Sequence, residues 1–315
     1  MNATCRRSRP VLAFTSGDPS GIGPEAVLAA LRRGSLPRSC RPLLVGEASV
    51  WRRAGWRPGL LPVWDTGLGL TPPPFGRVTR VGGAMSFAAV KTAVRLAARG
   101  VADAVVTASI SKEAWSLAGV PYRDHTEYLR AETGRDAQMI LAAPQRRLWC
   151  VLATRHIPLA RVPGALNRAG ILSAARVLCD ALRQTGLRRP RLVLCALNPH
   201  AGEGGLLGSE EKKILAPAAR SARRLGLGLS GPLPADAAWR LHAAGGCDGL
   251  VCLYHDQAMI GLKAAAGLGV VNWTAGLPFV RVSPGHGTAF DAAGRGRADA
   301  SATAAAAGLA IGLLR

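Results

Sequence analysis

The chain has 315 residues, 49% of them hydrophobic, and carries 40 Lys and Arg against 19 Asp and Glu, a formal net charge of +21. That length suits two domains or one large α/β domain with a cleft. No apolar run reaches the ~18 residues of a membrane span, and the apolar stretch Val11–Phe14 is too short for a secretory leader, so the sequence reads as a cytoplasmic protein with no membrane partner.

The basic excess is almost all Arg, and it is spread along the chain. Lys and Arg neutralise phosphates, so nucleic-acid binding is one reading of it. Against that, aromatic residues make up only 5% of the chain and no helix-turn-helix, RRM or zinc-finger pattern occurs. Drift toward Ala, Arg and Gly accounts for the charge equally well, and a positive field would still draw in an anionic substrate. The cysteines number seven, an odd count with no CxxC pair, which points to buried thiols in a reducing compartment.

In chain order, the strand Val11–Thr15 leads into SGDPSGIGPE and then a helix, with Pro24 suited to the first turn and Glu25 to the helix dipole. This is neither GxGxxG nor a P-loop. It serves as a tight βα turn or as a ligand turn at a helix N-terminus. Arg41–Val45 is the next strand, residues 57–83 are an irregular Pro- and Gly-rich connection, and Met85–Ala98 has helical spacing. Ala102–Thr107 is a strand, and Ser111 caps a following helix. Asp124 and Glu127 form a capping-box pattern, which sets His125 and Thr126 at a helix start where a ligand could also sit.

Met139–Leu141 and Trp149–Ala153 read as a strand pair ending before His156. Residues 167–184 are helical, and the strand Arg191–Leu197 ends before His200. Ser209 reads as the cap of the next helix, with Glu210 and Glu211 as its first-turn residues; His242 has only a surface or packing place. The strand Gly249–Leu253 ends before His255. Thus His156, His200 and His255 each follow a strand's C-terminal end, where ligand sites of α/β sheets lie. Each imidazole alone has a structural reading. Together the three could hold a divalent metal, with Asp256 as a further ligand or as the partner of His255.

Several segments together resemble the 4-hydroxythreonine-4-phosphate dehydrogenase family: TSGDPSGIGPE (15–25), SKEAW (111–115), DHTEYL (124–129), ATRHIPL (153–159), NPHAGEGGLLGSEE (198–211), YHDQ (254–257) and GLPFVRVSPGHGTAFDAAGRGRAD (276–299). The last is also similar to the HGSAPDIAGKGIANP-type loop of isopropylmalate and isocitrate dehydrogenases. The resemblance implies two α/β/α domains with a cleft between them, one from residues 1–128 and 286–315 and the other from 129–285. It implies a homodimer with the active site at the interface. It assigns metal binding to His156, His200 and His255, and substrate binding to His125, Thr126, Lys263, Asn272 and Arg281. It assigns the NAD or NADP contacts to His286, Gly287, Thr288 and Asp291, and catalysis to Asp256 and Lys263. The metal would be zinc, cobalt or magnesium. The implied reaction oxidises 4-phosphooxy-L-threonine at C3 and releases CO2 to give 3-amino-2-oxopropyl phosphate, with Asp256 or a water as proton acceptor. Relatives within the superfamily act on phosphorylated threonate or erythronate, or on a cis-dihydrodiol dicarboxylate. The chain departs from the family pattern at Asp124, Arg155, Trp273 and Ala275, all beside the implied site.

Overall fold

The computed structural model describes residues 9–32 and 39–315. Residues 1–8, Cys5 among them, and residues 33–38 lie outside the described residues. The chain divides into two compact units, one running to Ala137 and resuming at Leu277, the other spanning Gln138–Gly276. The first unit contains β1 (Val11–Thr15), α1 (Gly23–Arg32), β2 (Arg41–Val45), α2 (Ala48–Arg53), β3 (Val63–Trp64), α3 (Arg80–Ala98), β4 (Ala104–Val106), α4 (Lys112–Leu117) and α5 (His125–Thr133). The second contains β5 (Gln138–Ala143), β6 (Leu148–Leu152), α6 (Val162–Ala165), α7 (Arg168–Gln184), β7 (Arg191–Cys195), α8 (Ala216–Arg224), β8 (Gly228–Leu233), α9 (Ala235–Ala243), β9 (Gly249–Cys252), α10 (His255–Ala266) and β10 (Val271–Ala275). The chain then returns to the first unit with β11 (Val280–Pro284) and α11 (Ser301–Leu313).

The first unit orders its strands β3-β2-β1-β4-β11, every pair parallel. Parallel strands are covered on both faces, so they read as unbroken apolar runs. Leu12, Ala13 and Phe14 of β1 and all of β4 are accordingly buried. Helix α3 packs on β1 and β2, and α11 on β4 and β11. Two expectations need correction here. The connection 57–83 contains β3, whose Val63 pairs with Leu44. And α3 begins at Arg80, not Met85, with the Thr79 hydroxyl accepting from the Gly82 amide at 3.0 Å. Gly82 and Gly83 disfavour a helix by propensity. At Gly83, however, an added Cβ would lie 1.9 Å from the Ala114 carbonyl oxygen, so glycine is what lets α3 lie against α4.

The second unit orders its strands β10-β5-β6-β9-β7-β8. The β10/β5 and β5/β6 pairs are antiparallel; β6/β9, β9/β7 and β7/β8 are parallel. Edge strand β8 carries Pro232, which donates no ladder hydrogen bond and is tolerated there. His242, 2% exposed, is a packing residue: Nε2 accepts from the Trp149 amide at 2.9 Å while Nδ1 donates to the Cys247 carbonyl at 3.1 Å. Burial lowers its pKa, which keeps this bridge neutral. Cys150, Cys179, Cys195, Cys247 and Cys252 are buried thiols. Among the described residues no helix is long and apolar enough to cross a membrane.

Candidate active site

Strands β6, β9 and β7 are parallel neighbours, and the loops beyond their C-terminal ends carry His156, His255 and His200. A chain of hydrogen bonds continues where the ladder stops. The Thr154 hydroxyl donates to the Leu253 carbonyl at 2.6 Å, and the Ala153 and Thr154 amides reach Cys252 and Leu253. The buried Gln257 side chain accepts from the Leu253 amide at 2.7 Å and donates to the Ala196 carbonyl at 2.8 Å. The Glu211 carboxylate then accepts from the amides of Leu197 at 2.9 Å and Asn198 at 2.8 Å. This strap gathers the three histidine loops through Thr154 and Gln257 and through Glu211, whose sequence reading is only that of a first-turn carboxylate. Thr154, Gln257 and Glu211 give no signal alone, because their role depends on strands that meet only in the fold.

His255 opens α10, and its Nδ1 lies 2.7 Å from Asp256 Oδ1. His156, at φ 51°, places its ring centroid 5.9 Å from that of His255. His200 is exposed and begins a left-handed turn: His200, Ala201, Gly202, Glu203 and Gly204 all have positive φ, from 44° to 80°. Each non-glycine residue in such a run costs about 1–2 kcal/mol, so the surrounding bonds must hold it. Glu210 and Glu211 do this in addition to starting a helix. The expected cap at Ser209 is not made; Glu210 occupies the N-cap position of the turn entering α8, without a side-chain cap bond. Among the described residues of one chain, no three His, Cys, Asp or Glu side chains cluster closely enough to hold a metal ion. The structure therefore brings His156 and His255 together but does not close the set with His200.

In the first unit, α5 starts as its sequence suggests: the Asp124 carboxylate accepts from the Glu127 amide at 3.0 Å. Glu127 reaches back one residue further than a capping box requires, accepting from the Arg123 amide at 2.6 Å. His125 packs edge-on against Trp115, with centroids 5.4 Å apart, and its Nε2 is buried with no hydrogen-bond partner. Burial lowers the His125 pKa well below the usual range, and the charges of Arg281 and Lys112 depress it further, so the ring is neutral near pH 7. Arg281 on β11 is 3% exposed and donates from Nη2 to the Thr107 hydroxyl at 2.5 Å. Burial lowers its pKa to about 10, against the attraction of Asp124, and it stays charged. Thr126 follows His125 in the same first turn. Arg281 and Lys112 thus set a positive field around the neutral His125 ring, Lys112 lying just after the Ser111 cap of α4. Lys263 and Asn272 belong to the second unit: Lys263 is exposed in the last turn of α10, and Asn272 on β10 pairs with Leu141 of β5.

The glycine turn before α1 meets the loop after β11. The Ile22 amide donates to the Thr288 carbonyl at 2.9 Å, and the Ser109 hydroxyl to the His286 carbonyl at 2.8 Å. A Cβ on Gly21 would lie 2.8 Å from the Thr288 carbonyl oxygen, so the close approach requires glycine. Glu25 accepts from the Gly294 amide at 3.0 Å. His286, Gly287 and Thr288 are thereby tied to the start of α1, with Asp291 exposed on the same loop.

Asp18 in that turn is fully buried; its Oδ1 accepts from the Ser20 amide at 2.9 Å, and its Oδ2 has no partner. Burial pushes its pKa up to about 6, even with Arg53 nearby. A carboxyl raised in the folded state favours folding at low pH, and that contribution is lost as pH rises through 6. Part of that contribution is already gone at pH 4, close to the ordinary carboxylate pKa, so Asp18→Asn should gain on the wild type by about 2 kcal/mol between pH 4 and pH 7. Urea unfolding at both pH values reads this directly, and an unchanged difference between the two proteins would remove Asp18 as the cause.

The family model described as pyridoxal phosphate biosynthetic protein PdxA matches residues 39–310. A 4-hydroxythreonine-4-phosphate dehydrogenase of Desulfosudis oleivorans is 40% identical, with 96% of each chain covered. A Symbiobacterium thermophilum protein named for D-threonate 4-phosphate dehydrogenase is 38% identical, with 93% of each covered. The crystal structure of a 4-hydroxythreonine-4-phosphate dehydrogenase from Klebsiella pneumoniae superposes with a TM-score of 0.83 at 35% identity, covering 100% of this chain and 99% of that one. A β-decarboxylating dehydrogenase of Thermococcus kodakarensis shares the fold at 17% identity and a TM-score of 0.52, covering 95% of this chain and 82% of that one. The motifs that carried the resemblance and the match along nearly the whole chain agree: the chain belongs to the PdxA family of pyridoxal phosphate biosynthetic proteins.

Proposed function

We propose that the chain oxidises 4-phosphooxy-L-threonine at C3 with NAD or NADP and a divalent cation, with loss of CO2 to give 3-amino-2-oxopropyl phosphate. The observation that carries this reading is the hydrogen-bonded strap holding the His156, His200 and His255 loops at three neighbouring strand ends. A set of three imidazoles suits zinc or cobalt; magnesium, which takes oxygen ligands, is the poorer fit. The Nδ1 of His255 is engaged by Asp256, which fixes the tautomer and leaves Nε2 for the cation. That bond gives Asp256 an orienting role before any role as proton acceptor. Because one chain does not close the set, a second copy completes it, and the homodimer is part of the proposal. Exposed Ile157, Leu159, Leu206, Leu207 and Ile260 flank the histidines on the same loops and on α10, and support such an interface.

His156, His200 and His255 would hold the cation, which would supply Lewis acidity toward the substrate oxygens, and the dinucleotide would serve as the hydride acceptor. The protein's own share is binding and orientation. Arg281, positioned by Thr107, presents a planar fork to phosphate or carboxylate. Neutral His125 offers its unpartnered Nε2, with Thr126 beside it at the helix start. Lys263 adds a point charge and Asn272 an uncharged donor. His286, Gly287, Thr288 and Asp291 take the dinucleotide on the loop tied to α1. The buried thiols support the expected cytoplasmic location.

The Symbiobacterium relative favours one second reading, a phosphorylated threonate as substrate. The two substrates differ only at C2. A panel of 4-phosphooxy-threonine, phosphothreonate, phosphoerythronate and a cis-dihydrodiol dicarboxylate, with NAD and NADP, separates the readings by kcat/KM. Turnover of the first should vanish with chelator and return with added cation. Chelator-resistant turnover, or turnover of none of the four, would overturn the proposal.

A further inference from the structure

We infer that Glu211 is a positioning residue: it sets the left-handed turn that carries His200, and so tunes cation affinity without touching the cation. The inference rests on the reading of His200 as a ligand. Glu211 is 5% exposed, and both carboxylate oxygens are used on one loop. Oε1 accepts from the Leu197 and Asn198 amides, and Oε2 from Asn198 Nδ2 at 2.9 Å. The turn rests directly on that carboxylate, since a Cβ on Gly202 would lie 2.9 Å from Oε2. Glu210 grips the same Asn198 amide at 2.9 Å and the Ser209 amide at 3.0 Å. His200, Ala201 and Glu203 hold positive φ although each carries a side chain. Backbone strain of this kind persists only where the surroundings over-determine it. Here the surroundings are an acidic pair at the very start of the next helix, gripping the residue two before the histidine.

A carboxylate is the group this place requires. It offers two acceptors to three N–H donors, whereas a glutamine amide would turn a donor toward one of them. Glu211→Gln therefore leaves a donor–donor clash at the base of the turn and frees His200 to leave its set position. Loss of an outer partner of a metal ligand weakens metal affinity by about 10–100-fold.

The test is titration of chelator-stripped protein with Co2+, followed by absorption and without dinucleotide or substrate. Thermal unfolding of the cation-free proteins is measured in parallel. Glu211→Gln should bind Co2+ at least tenfold more weakly, with a lowered unfolding temperature but a cooperative transition that shows the variant is folded. Gly202→Ala, whose added Cβ would press on the same carboxylate, should weaken Co2+ in the same direction, and it serves as the second test should Glu211→Gln fail to fold. Wild-type affinity in a folded variant overturns the role of Glu211 and leaves the cation reading standing. A wild-type protein that takes up no Co2+ overturns the cation reading, and this inference with it.

Discussion

Alanine in place of His200 is expected to abolish cation-dependent turnover while leaving the fold intact. The imidazole is exposed, so its removal uncovers no core and opens no cavity. Substitutions at such surfaces stay within about 0.5 kcal/mol. The backbone at His200 is already left-handed, and alanine meets much the same cost there as histidine, since the holding bonds come from Glu210 and Glu211. Activity has no such protection. Losing one of three ligands should remove several kcal/mol of transition-state stabilisation, about a thousandfold or more in kcat. The decisive comparison is the rate with and without chelator at unchanged urea midpoint. Wild-type rates that remain chelator-sensitive would show that the cation does not depend on His200. Unfolding of the variant would instead show that the turn is held by the ring itself, against its exposure.

Much of this architecture could be read from the residue pattern. The short apolar runs of β1, β4, β6, β7 and β9 are buried on both faces, and such strands announce themselves. The rule that ligands collect at strand ends points from sequence alone to His156, His200 and His255 as candidates. Other parts were hidden for definite reasons. Helix α11 is apolar on nearly every side and has no face to show a period. Helix α3 opens on two glycines whose meaning lies in the carbonyl of Ala114, distant in sequence. Edge strand β8 contains two Gly and a Pro, residues that weaken any strand signal. Within the site, the residue types were legible but their supports were not. Glu211 looks like a first-turn carboxylate in sequence because nothing local says that it faces back into the preceding loop. Lys112 looks like part of a helix start because its effect on His125 acts through space.

Arg281→Met should separate activity from stability, with opposite signs. Burial lowers the Arg281 pKa from 12.5 to about 10, so the folded state holds this proton less tightly than the unfolded chain. For a base shifted downward, the penalty is fully present below the folded pKa and disappears only as pH rises past the unfolded one. At pH 7 the whole penalty applies, about 3 kcal/mol by linkage. Methionine fills a similar volume without a charge. The variant also forfeits the bond to Thr107, worth about 1–2 kcal/mol. The net expectation is a protein at least as stable as the wild type. Substrate affinity runs the other way, because a charged hydrogen bond to a phosphate or carboxylate is worth about 3 kcal/mol, or roughly a hundredfold in kcat/KM. Arg281→Lys keeps the charge but loses the planar fork, so it should fall between the two in activity and gain nothing in stability. Paired urea unfolding and initial-rate measurements on the three proteins decide the matter. If Arg281→Met lost stability and kept its kcat/KM, Arg281 would be a structural ion and not an anion-binding residue.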